Sequence, residues 1–271
     1  MAVVKVLFLG DVVGRSGREA VQKHLPGLRK SLGLDFVVAN GENAAGGFGI
    51  TDKIASELYA AGVDCITTGN HVWDQRELML TIDRDPKLLR PANFPKGTPG
   101  KGIGVYKLPS GAEIVVANFM TRLFMDPLDD PFAGLEALLA HHRLGGRTAA
   151  ILVDLHGEAT SEKMALGHLA DGRASLIVGS HSHVPTADAQ VFPGGTGYQT
   201  DAGMCGDYDS VIGMKKEPAI QRFVRKMPGE RLTPAEGEGS LCAVYAELLP
   251  TGLCARVAPV RQGGRLAPAM P

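Results

Sequence analysis

Several features that mark particular protein classes are missing from this chain of 271 residues. No uninterrupted apolar run approaches the ~18 residues of a transmembrane helix. The apolar run at positions 3–9 is followed by Asp11, which is typical of a first strand and not of a signal peptide. The formal net charge of -1 gives no general attraction to nucleic acid or to an acidic membrane. We therefore expect a cytoplasmic protein that does not bind membranes.

Cysteine is scarce, with four residues that are widely spaced and form no Cys-x-x-Cys pair. This spacing argues against a structural zinc site and against a redox motif. Cys65, Cys242 and Cys254 lie in strand-like surroundings and are expected to be buried thiols. Cys205 lies in a glycine-rich loop, and its role stays open.

Nucleotide-binding and RNA-binding signatures are also missing. The glycine-rich segment 10–17 lies between a strand and a helix, but it matches neither G-x-G-x-x-G nor the Walker pattern. No run of interleaved aromatic and basic residues indicates an RNA-binding module. RNA-derived molecules remain open as substrates.

What the chain does contain is an alternation of apolar strands and helices, with 44% hydrophobic residues. This alternation predicts parallel βαβ units in one domain over residues 1–262, followed by a flexible tail at 263–271. The strands are predicted at 3–9, 36–39, 65–67, 151–155 and 176–180. The helices are predicted at 16–32, 53–61, 75–83, 132–144 and 161–170.

Other segments break this alternation. Residues 104–108 and 113–118 predict a hairpin, and the Pro- and Gly-rich loop 86–102 is a candidate lid over a site. Beyond Val191 we expect strands at 198–200, 220–224, 241–248 and 253–260. These strands would form a second, antiparallel sheet beside the first.

Polar side chains follow five of the predicted strands at the point where each strand ends. In open α/β sheets, ligands bind at the carboxyl ends of the strands. Five unrelated turns would seldom all carry metal ligands or acid–base groups, so we interpret them as one site. The residues are Asp11, Glu42 with Asn43, Asn70 with His71, His156, and His181 with His183.

These side chains form a mixed nitrogen and oxygen set without a thiolate, which favours iron, manganese or catalytic zinc. Two metals roughly 3.5–4 Å apart are a known device for phosphoester displacement by a bridging hydroxide. Glu42 is the predicted bridging carboxylate, with Asp11 bound to one metal and Asn70 to the other. His71 is the predicted general acid for the leaving oxygen.

Two neighbouring carboxylates have alternative roles. Asp74 either orients His71 or caps the helix that follows it, and Asp154 is expected to buttress His156. The other four histidines, which are His24, His141, His142 and His168, are expected to be structural.

Five motifs in this order resemble the calcineurin-like metallophosphoesterases, and specifically their bacterial YmdB-like branch. They are GDVVG at 10–14, NGEN at 40–43, GNHVWD at 69–74, DLHGEATSEK at 154–163 and GSHSHVPTAD at 179–188. The resemblance implies a four-layer α/β/β/α sandwich, with two mixed sheets flanked by helices and a dinuclear metal centre. It also implies phosphodiesterase activity on cyclic nucleotides of the 2′,3′-cyclic AMP type.

The resemblance also implies which residues bind each metal. Asp11, Glu42 and His183 would hold one metal, and the other would be held by Glu42, Asn70, His156 and His181. Asn43 would be a further ligand or would line the site. The chain has Val13 where the wider superfamily has a histidine, and Glu42 where it has an aspartate, and both departures look like features of this branch.

Alternatives with the same ligands remain. A phosphomonoesterase or protein phosphatase would differ only in the loops that admit substrate, for which 46–49, 86–102 and 194–198 are candidates. A regulatory protein with structural metals is a second class. A homo-oligomer also stays open.

Overall fold

The first strand shows why the chain builds layers. In β1 (Val4–Leu9), successive side chains point to opposite faces. Val6 and Phe8 pack between two sheets, whereas Leu7 and Leu9 pack beneath helices. Because both faces of this strand are covered beyond Lys5, its residues 6–9 form an apolar run without polar alternation.

The structure is a computed structural model that describes residues 3–227 and 229–271. The remaining strands are β2 (Asp11–Val12), β3 (Phe36–Asn40), β4 (Cys65–Thr67), β5 (Ile103–Lys107), β6 (Glu113–Met120), β7 (Thr148–His156), β8 (Leu176–Ser180), β9 (Gln190–Val191), β10 (Gly197–Gln199), β11 (Met204–Cys205), β12 (Leu241–Leu248) and β13 (Cys254–Gln262). The helices are α1 (Gly14–Leu32), α2 (Asp52–Ala61), α3 (Leu78–Thr81), α4 (Pro131–His141), α5 (Thr160–Leu169) and α6 (Lys216–Arg225), and a 3₁₀ turn spans Ile82–Arg84.

Two mixed sheets pack face to face. The first has the order β13-β12-β1-β3-β4 and the second β5-β6-β7-β8-β10-β9, while β2 pairs with β11. Strands β1, β3 and β4 are parallel, as are β6, β7, β8 and β10. Their carboxyl ends can therefore carry one site.

Helices cover the outer face of each sheet. Helices α1 and α2 pack on the first sheet through side chains such as Leu25 and Leu58. Helices α4 and α5 pack on the second sheet through Leu135 and Leu166. The predicted four-layer α/β/β/α sandwich is confirmed.

The arrangement predicted for the C-terminal third is wrong in two respects. Residues 220–224 lie in helix α6 and not in a strand, and the side chains of Ile220, Phe223 and Val224 are exposed, so no sheet covers them. Strands β12 and β13 do not build a separate sheet, since β12 pairs antiparallel with β1 and completes the first sheet. The second sheet is instead built from the middle of the chain.

Smaller differences concern ends and loops. The helix predicted at 75–83 is only the short α3 and the 3₁₀ turn. The extent of the domain and the flexible tail stay predictions, although Ala269 bridges to Arg261.

All four cysteines are free and buried, Cys205 included. Every helix within the described ranges is too short or too polar to cross a membrane.

Candidate metal centre

The predicted site residues lie at the carboxyl ends of neighbouring strands. Asp11 begins β2 just after β1, the segment 42–43 follows β3, and the segment 70–71 follows β4. His156 is the last residue of β7, and the segment 181–183 follows β8. A cleft of about 290 Å³ opens over this edge, and its lining includes Glu42, Asn43, His71, His181 and His183.

Four of these residues converge on one point, and we call them the histidine cluster: Glu42, Asn70, His156 and His181. The Nε2 atom of His156 lies 2.9 Å from Asn70 Oδ1 and 3.1 Å from Glu42 Oε1. It also lies 3.2 Å from His181 Nδ1. The candidate ligand atoms of Glu42, His156 and His181 all lie within 4.8 Å of one another. This spacing suits a single metal ion.

A buried chain of hydrogen bonds orients His156. Its Nδ1 lies 2.9 Å from Ser180 Oγ, which in turn donates to Asp154 Oδ1 over 2.6 Å. Because the hydroxyl proton is given to Asp154, Ser180 accepts from an Nδ1–H on His156. This arrangement leaves Nε2 for a metal and places Asp154 as the predicted buttress.

Three further residues, which we call the aspartate cluster, lie beside the first group: Asp11, Asn43 and His183. His183 Nε2 lies 3.3 Å from Asn43 Oδ1 and 3.9 Å from Asp11 Oδ1. The other nitrogen of His183, Nδ1, donates to the carbonyl oxygen of Ile212 over 2.7 Å. Asp11 Oδ2 accepts the backbone N–H of His181, whereas its buried Oδ1 has no hydrogen-bond partner among the described residues.

The turn that carries two of the ligands has an unusual backbone. His181 has φ 99° and His183 has φ 64°, both in the left-handed region that non-glycine residues rarely adopt. Such conformations persist only where the surrounding structure enforces them.

A buried ion pair enforces this turn. Lys163 and Asp201 are each only 1% exposed and lie 2.9 Å apart, from Nζ to Oδ2. Lys163 also donates to the carbonyl of Ser180 over 2.7 Å, and Asp201 accepts the N–H of Ser182 over 3.0 Å. The pair therefore holds the backbone on both sides of His181.

Charges in the two clusters are arranged for metal binding. Burial opposes the charge on Glu42, but the His156 imidazole outweighs it and lowers the pKa of Glu42 to about 2. Burial likewise opposes a charge on His156, yet Glu42 raises the pKa of His156 to about 9. Burial, and then the neighbouring His156, lowers the pKa of His181 to about 3. The histidine cluster thus holds the Glu42 carboxylate and the neutral His181 imidazole, the forms in which both bind metals, whereas His156 must release a proton when a metal binds.

These residues fit the metals that the resemblance implies. The donors are nitrogen and oxygen atoms without a thiolate, and the partnerless Oδ1 of Asp11 is the kind of buried atom that a cation satisfies. Burial raises the pKa of Asp11 to about 6, which a nearby cation would counteract. The assignment of each residue as a ligand stays a prediction.

His71 lies at the rim of the cleft and belongs to neither cluster. Its backbone N–H donates to Glu42 Oε2 over 2.9 Å, and its Nδ1 lies 2.8 Å from Asp74 Oδ2. The ring of Phe48 meets the His71 ring in a T-shaped contact at 5.1 Å. Asp74 therefore contacts His71, as the first of its two alternative roles requires.

Sequence reasoning missed the supports of the site. Ser180, the Lys163–Asp201 pair and the Ile212 carbonyl were not singled out. The position of Lys163 inside the motif at 154–163 was the one sequence signal that could have pointed to it. No residue pattern near Asp201 identifies it as the partner of Lys163. Of the predicted substrate loops, only 46–49 contributes to the cleft, and Asn93 in loop 86–102 instead bonds the backbone of Met120.

Comparison with known proteins identifies the family of this chain. The profile of the family described as YmdB-like protein matches residues 7–260. A protein of Bacillus subtilis (strain 168), named 2′,3′-cyclic-nucleotide 2′-phosphodiesterase, is 49% identical over 245 residues, which are 90% of this chain and 91% of that protein.

Two solved structures share the whole fold. A hypothetical protein from Thermus thermophilus has a TM-score of 0.90 and 42% identity, covering 97% of this chain and 100% of that one. A novel phosphatase from Mycoplasma pneumoniae also has a TM-score of 0.90, with 32% identity and coverage of 97% and 94%.

Fold and site define a metallophosphoesterase-type enzyme, a phosphoric ester hydrolase, as predicted. Within that class the chain belongs to the YmdB-like protein family.

Proposed function

We propose that this chain is a phosphodiesterase that hydrolyses 2′,3′-cyclic nucleotides with two metal ions, iron or manganese in preference to zinc. The observation that carries the proposal is the convergence of Glu42, Asn70, His156 and His181 at the base of one cleft, next to Asp11, Asn43 and His183. The name of the Bacillus subtilis relative supports this choice of substrate. RNA breakdown would supply such cyclic nucleotides, and the cytoplasm stays our prediction for the location.

Bound metal ions would polarise the phosphoryl oxygens and make a water molecule more acidic. Glu42 holds a negative charge at the centre of the site through its contact with His156. It also fixes the backbone of His71, so the rim residue and the ligands keep a constant relative position.

In this proposal His71 is the general acid that protonates the leaving oxygen. Because Asp74 occupies Nδ1, the Nε2 atom is the nitrogen that can carry the transferred proton. A water molecule loses one proton to solvent and its oxygen forms a new bond to phosphorus, the bond from phosphorus to the 2′ oxygen breaks, and that oxygen takes the proton from His71. The product is a nucleoside 3′-phosphate.

The test combines metal content with substrate comparison. Protein purified anaerobically is expected to hold about two metals per chain, the dinuclear stoichiometry, and to hydrolyse 2′,3′-cyclic AMP. Parallel assays on an acyclic bis-ester and on a monoester separate the alternatives. Turnover of the monoester alone would make the chain a phosphomonoesterase, and no metal-dependent turnover would favour a regulatory role. Size-exclusion chromatography would test the homo-oligomer.

A further inference from the structure

The wall of the cleft differs from its floor. The floor carries Glu42, Asn43, His181 and His183 from the two clusters, whereas the wall carries the apolar side chains of Phe48, Ile212, Met214 and Leu232. An apolar wall beside a strongly polar floor suits a ligand with one charged end and one flat, weakly polar end.

Ile212 presents its side chain to this cleft at a cost. It is 54% exposed and has φ 46°, a left-handed conformation that is a genuine outlier for a β-branched residue. Its carbonyl accepts the Nδ1–H of His183. One strained residue therefore both fixes a ligand of the aspartate cluster and exposes an aliphatic surface beside it, and strain of this kind clusters at functional sites.

Phe48 is fixed by a different device. Gly47 and Gly49, on either side of it, have φ 91° and 77°, which glycine adopts without strain. A Cβ atom on Gly49 would lie 2.9 Å from the backbone nitrogen of Gln75, so the loop packs closely against the segment that follows His71. The carbonyl of Phe48 also accepts from Gln75 Nε2 over 2.8 Å.

The ring of Phe48 is reachable by planar groups. It lies half-buried against the edge of the cleft, in T-shaped contact with His71. The exposed guanidinium of Arg231 lies over the ring, 5.8 Å from its centre. Because Arg231 is exposed, its guanidinium can give way to a flat group that stacks on the ring from the solvent side.

From this geometry we propose that Phe48 and Ile212 form the subsite for the nucleobase of the substrate. Phe48 would stack on the base and Ile212 would line its opposite edge, while the cyclic phosphate faces the two clusters. The inference rests on the proposed function and adds a requirement for the base. Every nucleobase has a π face, so stacking selects nucleotides over simple phosphodiesters without selecting one particular base.

The test compares a substrate with a base and one without. Phe48→Ala and the wild type are assayed on 2′,3′-cyclic AMP and on glycerol 1,2-cyclic phosphate, which keeps the five-membered cyclic diester. We expect Phe48→Ala to lower kcat/KM for cyclic AMP at least about tenfold more than that for the glycerol ester, mostly through KM. Phe48→Tyr retains an aromatic ring and should restore most of the difference. Phe223→Ala, which removes a 77% exposed phenylalanine on α6, is the matched control.

Ile212→Asn gives a second, independent variant. Asparagine tolerates the left-handed backbone and keeps the carbonyl that binds His183, so only the apolar wall is lost. It should weaken binding of adenosine 3′-monophosphate severalfold in titration calorimetry, a measurement that needs no turnover.

The outcomes separate the two proposals. If the wild type hydrolyses both esters equally well, the proposed function stands and the nucleobase subsite is rejected. Equal losses on both substrates in Phe48→Ala would make Phe48 a positioning residue for His71 and would also reject the subsite. No turnover of either ester would overturn the proposed function and the subsite with it.

Discussion

The histidine cluster and the aspartate cluster lie side by side but are held in place differently. In the histidine cluster, His156 Nε2 already has three neighbours within 3.2 Å, and Ser180 and the Lys163–Asp201 pair support the cluster from behind. In the aspartate cluster, the His183 to Asp11 distance is 3.9 Å and one carboxylate oxygen has no partner among the described residues.

This difference indicates unequal metal affinities. The ligand atoms of the histidine cluster already meet at one point, whereas those of the aspartate cluster are held singly and would have to move closer together, and such preorganisation favours binding. We therefore expect the histidine cluster to bind the tighter metal and the aspartate cluster to exchange its metal more readily. Four substitutions test that expectation.

Removing Glu42, the carboxylate predicted to bridge the two metals, should abolish metal binding at both clusters. Glu42→Ala deletes the partner of His156 and the acceptor for the His71 backbone, so both metals and all measurable turnover should be lost. Metal analysis and initial rates check this, with the exposed Glu136→Ala as control. Retention of two metals would show that Glu42 is not a ligand.

Removing His71, which belongs to neither cluster, should leave the difference in metal affinity between the two clusters unchanged. His71→Ala is expected to keep both metals and to slow turnover by about 10²- to 10⁴-fold, the range for a lost general acid. The exposed His141→Ala serves as its control. Loss of a metal would reassign His71 as a ligand.

Disturbing the support of the turn should affect folding and the histidine cluster together. Asp201→Asn keeps the shape of the side chain but leaves the buried Lys163 charge without its partner. Breaking a buried pair costs about 3–5 kcal/mol, which thermal unfolding would detect as a much lower Tm. Asp209→Asn, in an exposed pair with Lys216, should change Tm little. Similar Tm values for the two variants would contradict a supporting role.

The smallest effect is expected from the hydroxyl behind His156. Ser180→Ala should lower the affinity of the histidine cluster for its metal by about 10- to 100-fold, as is usual when a group that orients a ligand is lost. Competition with a chelator measures this affinity for each metal. The weaker metal should change less, and Ser56→Ala on the surface of α2 is the control. Equal weakening of both metals would mean that the two clusters are not independent.

The positions of the site residues were predictable because the carboxyl ends of parallel strands meet at one edge of a sheet. The supports were not, because Lys163 and Asp201 are 38 residues apart and no local pattern links them. Helix α6 was missed for a different reason. Residues 220–224 are too few for periodicity to separate a strand from a helix, and Phe223 is 77% exposed, so no core contact decides the conformation in advance.

The pairing of β12 with β1 could not be predicted from a local pattern either, and it has a consequence for biosynthesis. Strand β1 lies between β3 and β12, with Val4 opposite Leu248. At roughly 5–20 residues per second, the ribosome needs on the order of 10 to 50 seconds to pass from one of these strands to the other. During that interval one edge of the nascent β1 has no native partner. Chaperone capture of ribosome-bound chains is therefore expected to cease only when β12 has emerged.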